Sequence, residues 1–186
     1  MEDYNHIQYD EKMKFYELSV GQSSRAMILD ATFKDDFYVV SSGIVNYVDH
    51  VVKTKKGMGK RLYDVLAFND GMNKVISDKL LTLLREHSVI GFKTYPVEIK
   101  GVKEKYHGFQ VIGRSGKYIQ PEKKEDSEDY SFVGVKFDPE TWDGSDVFFP
   151  EGTAALTITP RVKEILESSD ITNIEIKHIK DSMGFY

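Results

Sequence analysis

Two stretches of the chain carry the same arrangement of apolar and polar positions. Residues 64–97 lie over residues 146–179 without a gap, at an offset of 82. Asp64-Val65-Leu66 meets Asp146-Val147-Phe148, Ile76-Ser77 meets Ile158-Thr159, and Leu83-Leu84 meets Ile165-Leu166. Further on, Val89 meets Ile171, Phe92 meets Ile174 and Val97 meets Ile179. In each copy an i, i+3, i+4 stripe (Leu80, Leu83, Leu84; Val162, Ile165, Leu166) predicts an amphipathic helix. Ser77 and Thr159 precede the stripes as N-caps, because a hydroxyl there can accept from a free N–H of the first turn. Pro160 at the first helical position loses nothing by lacking its N–H. Gly91 and Asn173 suit a left-handed exit, and Phe92/Thr94 and Ile174/Ile176 then alternate as half-buried strand positions. The pattern predicts helices over about 78–87 and 160–168, each leading into a strand. It is either a true duplication or the independent recurrence of a common helix–strand unit.

Elsewhere the pattern is that of strands. Lys14–Val20, Tyr106–Ile112 and Tyr130–Phe137 are rich in β-branched and aromatic residues. Phe37–Val40 and Ile44–Val52, separated by Ser41-Ser42-Gly43, read as a β-hairpin. Residues 120–129 contain no aliphatic or aromatic side chain and read as a solvated loop. The predicted class is α+β: a mainly antiparallel sheet with two short helices on one face. No low-complexity linker divides the chain, so the 186 residues read as a single domain. Within it, 1–59 form an N-terminal strand and hairpin region, and 60–180 hold the repeats.

Composition narrows the chemistry. The absence of cysteine excludes disulfides, thiolate metal sites and a cysteine nucleophile. The start is acidic and polar, unlike a signal peptide. The uncharged run Phe37–Val48 is too short and polar to span a membrane, so a cytoplasmic protein is expected. A net charge of −5 disfavours nucleic acid as the general partner, since phosphate binding needs a basic face.

Known catalytic and metal patterns are incomplete. Around Gly59-Lys60, a phosphate loop would need Gly at Thr54 and Ser or Thr at Arg61. Lys53, Lys55, Lys56, Lys60 and Arg61 therefore read as a basic hairpin end, with a phosphate or RNA contact as the minor alternative. The histidines at 6, 50, 87, 107 and 178 lack metal-ligand spacing. Asp138, Glu140, Asp143 and Asp146 crowd around Trp142, which occupies a position a calcium loop would need for a ligand. A paired-carboxylate hydrolase there is the enzymatic alternative. No cofactor is expected.

Trp142-Asp-Gly-Ser-Asp-Val-Phe148, with Leu156-Thr-Ile-Thr-Pro-Arg-Val-Lys-Glu-Ile-Leu166, resembles a family of predicted bacterial immunity proteins that accompany polymorphic toxins. Tyr63-Asp-Val-Leu66, Val75–Leu81, Ile90-Gly-Phe92 and Pro96-Val97 resemble the central stretch of the same family. The likeness covers about residues 60–180. It implies a non-enzymatic protein that neutralises a cognate toxin domain by binding it, and it transfers no catalytic residues. Two acidic segments are the expected contacts. The first holds Glu122, Glu125, Asp126, Glu128 and Asp129; the second holds Asp138, Glu140, Trp142, Asp143 and Asp146, with the indole as a possible anchor. Oligomeric state is left open.

Overall fold

The computed structural model describes residues 14–47, 51–119 and 131–185. Fourteen strands and three α-helices follow one another among these residues. The first half supplies β1 (Tyr16–Val20), β2 (Ile28–Leu29), α1 (Phe37–Ser41), β3 (Val52–Thr54), β4 (Lys56–Met58), β5 (Val65–Ala67), β6 (Lys74–Ser77), α2 (Asp78–Glu86) and β7 (Phe92–Ile99). The second supplies β8 (Tyr106–Val111), β9 (Gly113–Lys117), β10 (Ser131–Val133), β11 (Val147–Glu151), β12 (Thr157–Ile158), α3 (Pro160–Glu167), β13 (Ile174–His178) and β14 (Met183–Phe185). The class is α+β with mostly antiparallel pairing. Ten of the strands form two five-stranded sheets, β3-β7-β8-β6-β5 and β13-β1-β12-β11-β9, and the other four pair as β2-β4 and β10-β14, where the hydrophobic pattern suggests one sheet.

The repeat seen in the sequence recurs in the geometry. In one half β5 pairs with β6 through Val65↔Ile76 and Leu66↔Val75; in the other β11 pairs with β12 through Val147↔Ile158 and Phe148↔Thr157. Every one of these positions is related by the same offset. Ser77 and Thr159 cap α2 and α3, accepting from Leu80 N–H at 3.1 Å and Val162 N–H at 3.5 Å. Both stripes are buried: Leu80 and Leu84 on α2, Val162, Ile165 and Leu166 on α3, with Leu83 half-buried. Gly91 and Asn173 both take positive φ, 101° and 65°. Shared register, caps and exits favour duplication over chance recurrence.

The repeat also extends where the sequence match does not. β8 lies between β7 and β6 in the first sheet, and β1 lies between β13 and β12 in the second. Ile76 faces His107 as Ile158 faces Tyr16, and Phe92 faces Val111 as Ile174 faces Val20. The strand that completes the second sheet therefore comes from the far end of the chain. Split before β1 and before β8, the chain is two runs, each opening with a strand and later carrying the same hairpin, helix and strand. Each run lends its first strand to the other's sheet.

Apolar burial follows the same plan. The central cluster draws on both sheets and both helices, with Val65, Ile76 and Leu84 from one half and Val147, Ile158 and Leu166 from the other. The outer faces carry two smaller clusters. Leu66, Tyr106 and half-buried Val97 belong to one, and their counterparts Phe148, Phe15 and Ile179 to the other.

One local expectation is corrected. Phe37–Val40 is not the first strand of a hairpin but the body of α1, started by Asp36, whose carboxylate accepts from Tyr38 N–H at 2.9 Å. The cap offsets the β preference of the Val39-Val40 pair, and packing of α1 on β8 completes the turn. Nor do Lys53–Arg61 end a hairpin: β3 pairs in parallel with β7, and β4 pairs with β2. Ser131–Val133 is a strand paired with β14, as expected for part of 130–137.

Candidate partner-binding surface

Of the two acidic segments, the first, with Glu122, Glu125, Asp126, Glu128 and Asp129, lies outside the described residues. In the second segment most carboxylates are engaged by the fold. Asp138 caps a short 3-10 turn, accepting from Glu140 N–H at 3.0 Å. Asp143 accepts from Arg114 N–H at 2.7 Å and from Ser145 N–H at 2.9 Å. Burial raises its pKa, but these bonds and the Arg114 charge outweigh that and hold it below the usual carboxylate value. Trp142 is half-buried, edge-on to Phe15 at 5.2 Å, and its Nε1–H donates to Ser145 O at 2.9 Å. Its ring thus packs into the outer cluster of the second sheet. Glu140 is exposed.

Asp146 is the clear correction. Only 8% of it is exposed, so it is not a surface contact. Its carboxylate accepts from Ile90 N–H at 3.0 Å, from Thr159 Oγ1 at 3.3 Å and from Arg161 Nε at 3.2 Å. Asp64 holds the matching position in the other half. It accepts from Ser77 Oγ at 2.7 Å and from Thr172 N–H at 2.9 Å. Burial raises the Asp64 pKa, yet the bonds from Ser77 and Thr172, with Lys79 nearby, carry it below the usual value. Ile90 and Thr172 are themselves equivalent positions. Each half's aspartate therefore grips the loop after the other half's helix, the reciprocity of a two-fold relation. Gly21 N–H donates to Asn173 O at 2.9 Å, and Ile112 N–H donates to Gly91 O at 2.8 Å, which repeats the exchange one strand further out. The alignment paired Asp64 with Asp146. It gave no sign that each reaches across to the other copy.

The basic stretch is partly gathered. Lys53 and Lys55 line an open cleft together with Lys100, Lys103 and Lys105. Carboxylates offset three of these: Glu98 lies 3.9 Å from Lys53, Asp30 3.5 Å from Lys55 and Asp78 3.7 Å from Lys105. Arg61 turns away and lies over the Tyr63 ring at 4.9 Å. His107 faces Asp78, and half-buried His178 lies edge-on to Tyr16. Burial and the neighbouring lysines lower the His178 pKa, with Asp181 opposing. Among the described residues no three His, Asp or Glu side chains cluster as metal ligands. No helix among them is long and apolar enough to cross a membrane.

A feature with no counterpart in the sequence reading is an apolar patch. Ile44, Ile90 and Ile112 are exposed by 67%, 57% and 45%. Ile112 links their backbones: its side chain lies against Gly43, next to Ile44, and its amide is bonded to Gly91, next to Ile90. Period and propensity place isoleucine inside, so nothing in the sequence marks these three as outward-facing.

Comparison with protein-family models gives no match for this chain, and comparison with curated proteins gives none either.

Proposed function

We propose that this chain is a non-enzymatic immunity protein of the cytoplasm that binds a cognate bacterial toxin domain and blocks its active surface. The observation that carries the reading joins sequence and fold. The segments that give the family likeness, 63–66, 75–81, 142–148 and 156–166, are the hairpin, cap and helix segments that build both halves of the molecule. The likeness is thus to a whole scaffold and not to an isolated turn. Among the carboxylates around Trp142, Asp143 and Asp146 spend both oxygens on backbone amides, Thr159 and Arg161, and Asp138 spends one on an amide. A hydrolytic pair that used Asp143 or Asp146 would need that carboxylate free to reach a substrate.

The direct test is co-expression with the toxin-like product of the adjacent gene. The expected result is growth rescue together with a 1:1 complex on co-purification. The reading is lost if the purified protein neither binds nor protects against any product of its own gene neighbourhood.

A second reading is favoured by one observation, the lysine-lined cleft. A nucleotide- or RNA-binding module would use it, and binding of a single-stranded RNA probe should then weaken steeply with salt. Salt-insensitive or absent binding would discard that reading.

A further inference from the structure

The two halves provide an internal control for deciding which surface residues the fold itself requires. Ile90 and Thr172 are equivalent, and so are Ile112 and Gly21, by their matching bonds to the reciprocal loops. Thr172 turns its hydroxyl inward to Asp64 at 2.7 Å, and Gly21 carries no side chain. The scaffold is therefore satisfied with a polar residue at one position and with none at the other. On the opposite side it carries two exposed isoleucines, and exposed Ile44 lies in the neighbouring segment 43–47. Large apolar side chains left in solvent on neighbouring backbone segments are a mark of association.

The rim indicates what covers it. Lys93 Nζ donates to Gly43 O at 3.1 Å and to Asn46 Oδ1 at 3.4 Å. The Arg114 guanidinium donates to Ser42 O, Val111 O and Gly113 O. Both cations are thus held beside the patch by neutral oxygens. The Asp143 carboxylate accepts from the amides of Arg114 and Ser145 and also lies in the field of the Arg114 guanidinium, so Lys93 is the less compensated of the two cations. In a chain of net charge −5 this is a cationic rim around an apolar centre. A second copy is a poor occupant, because a two-fold self-contact would bring Lys93 and Arg114 of one copy towards the same cations of the other.

We infer that Ile44, Ile90 and Ile112, rimmed by Lys93 and Arg114, are the surface that docks the cognate toxin domain, through an apolar segment of that partner edged by carboxylates. This rests on the immunity reading and names its contact surface. The isoleucines supply desolvated area at the centre, and the cations supply register and steering at the edge.

The test uses the full chain and the purified product of the adjacent toxin gene. Ile90→Asp with Ile112→Asp should weaken binding by about tenfold or more, mainly through faster dissociation. Ile44→Ser, Ile90→Thr and Ile112→Ser together form a gentler variant, using at 90 the residue the fold already accepts at 172. It should also weaken binding while leaving the thermal midpoint near that of the wild type. Lys93→Glu should slow association and weaken its salt dependence. Wild-type binding by the folded triple variant would overturn the docking surface while leaving the immunity role standing. Loss of a wild-type dimer in that variant, seen by sedimentation, would overturn it in favour of self-association. No complex between the wild-type chain and the adjacent product would remove both readings.

Discussion

The halves built around α2 and α3 share a scaffold and differ in how they close it. Each starts from an aspartate at the edge of a hairpin, Asp64 or Asp146, that reaches over to the partner half's loop. The first latch ends on Thr172, whose side chain joins the bond, and the second ends on Ile90, whose side chain is left in solvent. Asp146 adds Arg161 to one hydroxyl, that of Thr159, while Asp64 is held by two, those of Ser77 and Thr172. The conserved part of the pair is what folding requires, namely register, cap and latch. The part that differs is available for recognition.

The comparison is broken most severely through the shared core. Leu84→Ala and Leu166→Ala should each cost about 2–5 kcal/mol, because both side chains sit in the same central cluster, at 4% and 2% exposure. Similar shifts in denaturant midpoint are expected. A near-wild-type midpoint for one of them would mean that the halves do not share the core equally.

The latches come next. Asp64→Ala and Asp146→Ala should each cost about 1–3 kcal/mol for every amide left without its acceptor. The Asp64 latch carries a pH dependence. The folded Asp64 carboxyl titrates below its unfolded value, which is about 3.9. Its contribution is thus fully present above that value and is lost as pH falls through the lower, folded one. The stability gap between the wild type and Asp64→Asn should therefore be wide at pH 7 and narrow progressively below pH about 4. A gap that holds constant into acid would show that the Asp64 charge is not what closes the latch.

The left-handed exits give a smaller and unequal effect. A Cβ on Gly91 would lie 2.0 Å from Val147 O, so Gly91→Ala should cost more than about 1 kcal/mol. Asn173 already holds positive φ and its Nδ2 donates to Val65 O at 2.8 Å, so Asn173→Gly exchanges one bond for relief of backbone strain. Its midpoint should move less than that of Gly91→Ala, and the reverse order would contradict the assigned equivalence. Smallest of all are the caps: Ser77→Ala and Thr159→Ala should each lower stability by about 1 kcal/mol.

Much of the scaffold was legible because it rests on local rules. A hydroxyl before an i, i+3, i+4 stripe announces a capped helix, and a strand alternating behind a glycine or asparagine announces the turn. The swapped strands were not legible. β1 and β8 occupy equivalent slots, yet Tyr16–Val20 and Tyr106–Val111 share little beyond alternation, which any half-buried strand would show. The α1 segment failed for a related reason: a short β-branched run is ambiguous until capping and packing decide it. Asp146 was misjudged because an aspartate next to Gly144-Ser145 resembles any acidic turn. Only the hairpin pairing brings it to the Ile90 amide. The exposed isoleucines carry no local signal at all, since residue type says inside and only three-dimensional context says otherwise.

Hydrogen–deuterium exchange of the full chain, with and without the toxin domain encoded beside it, tests the account most directly. New protection should appear at 43–47, 89–93 and 111–114. The equivalent backbone of the other half, 20–23 and 171–175, should exchange as in the free protein. Equal protection on both sides, or none on either with the toxin domain in excess, would contradict it.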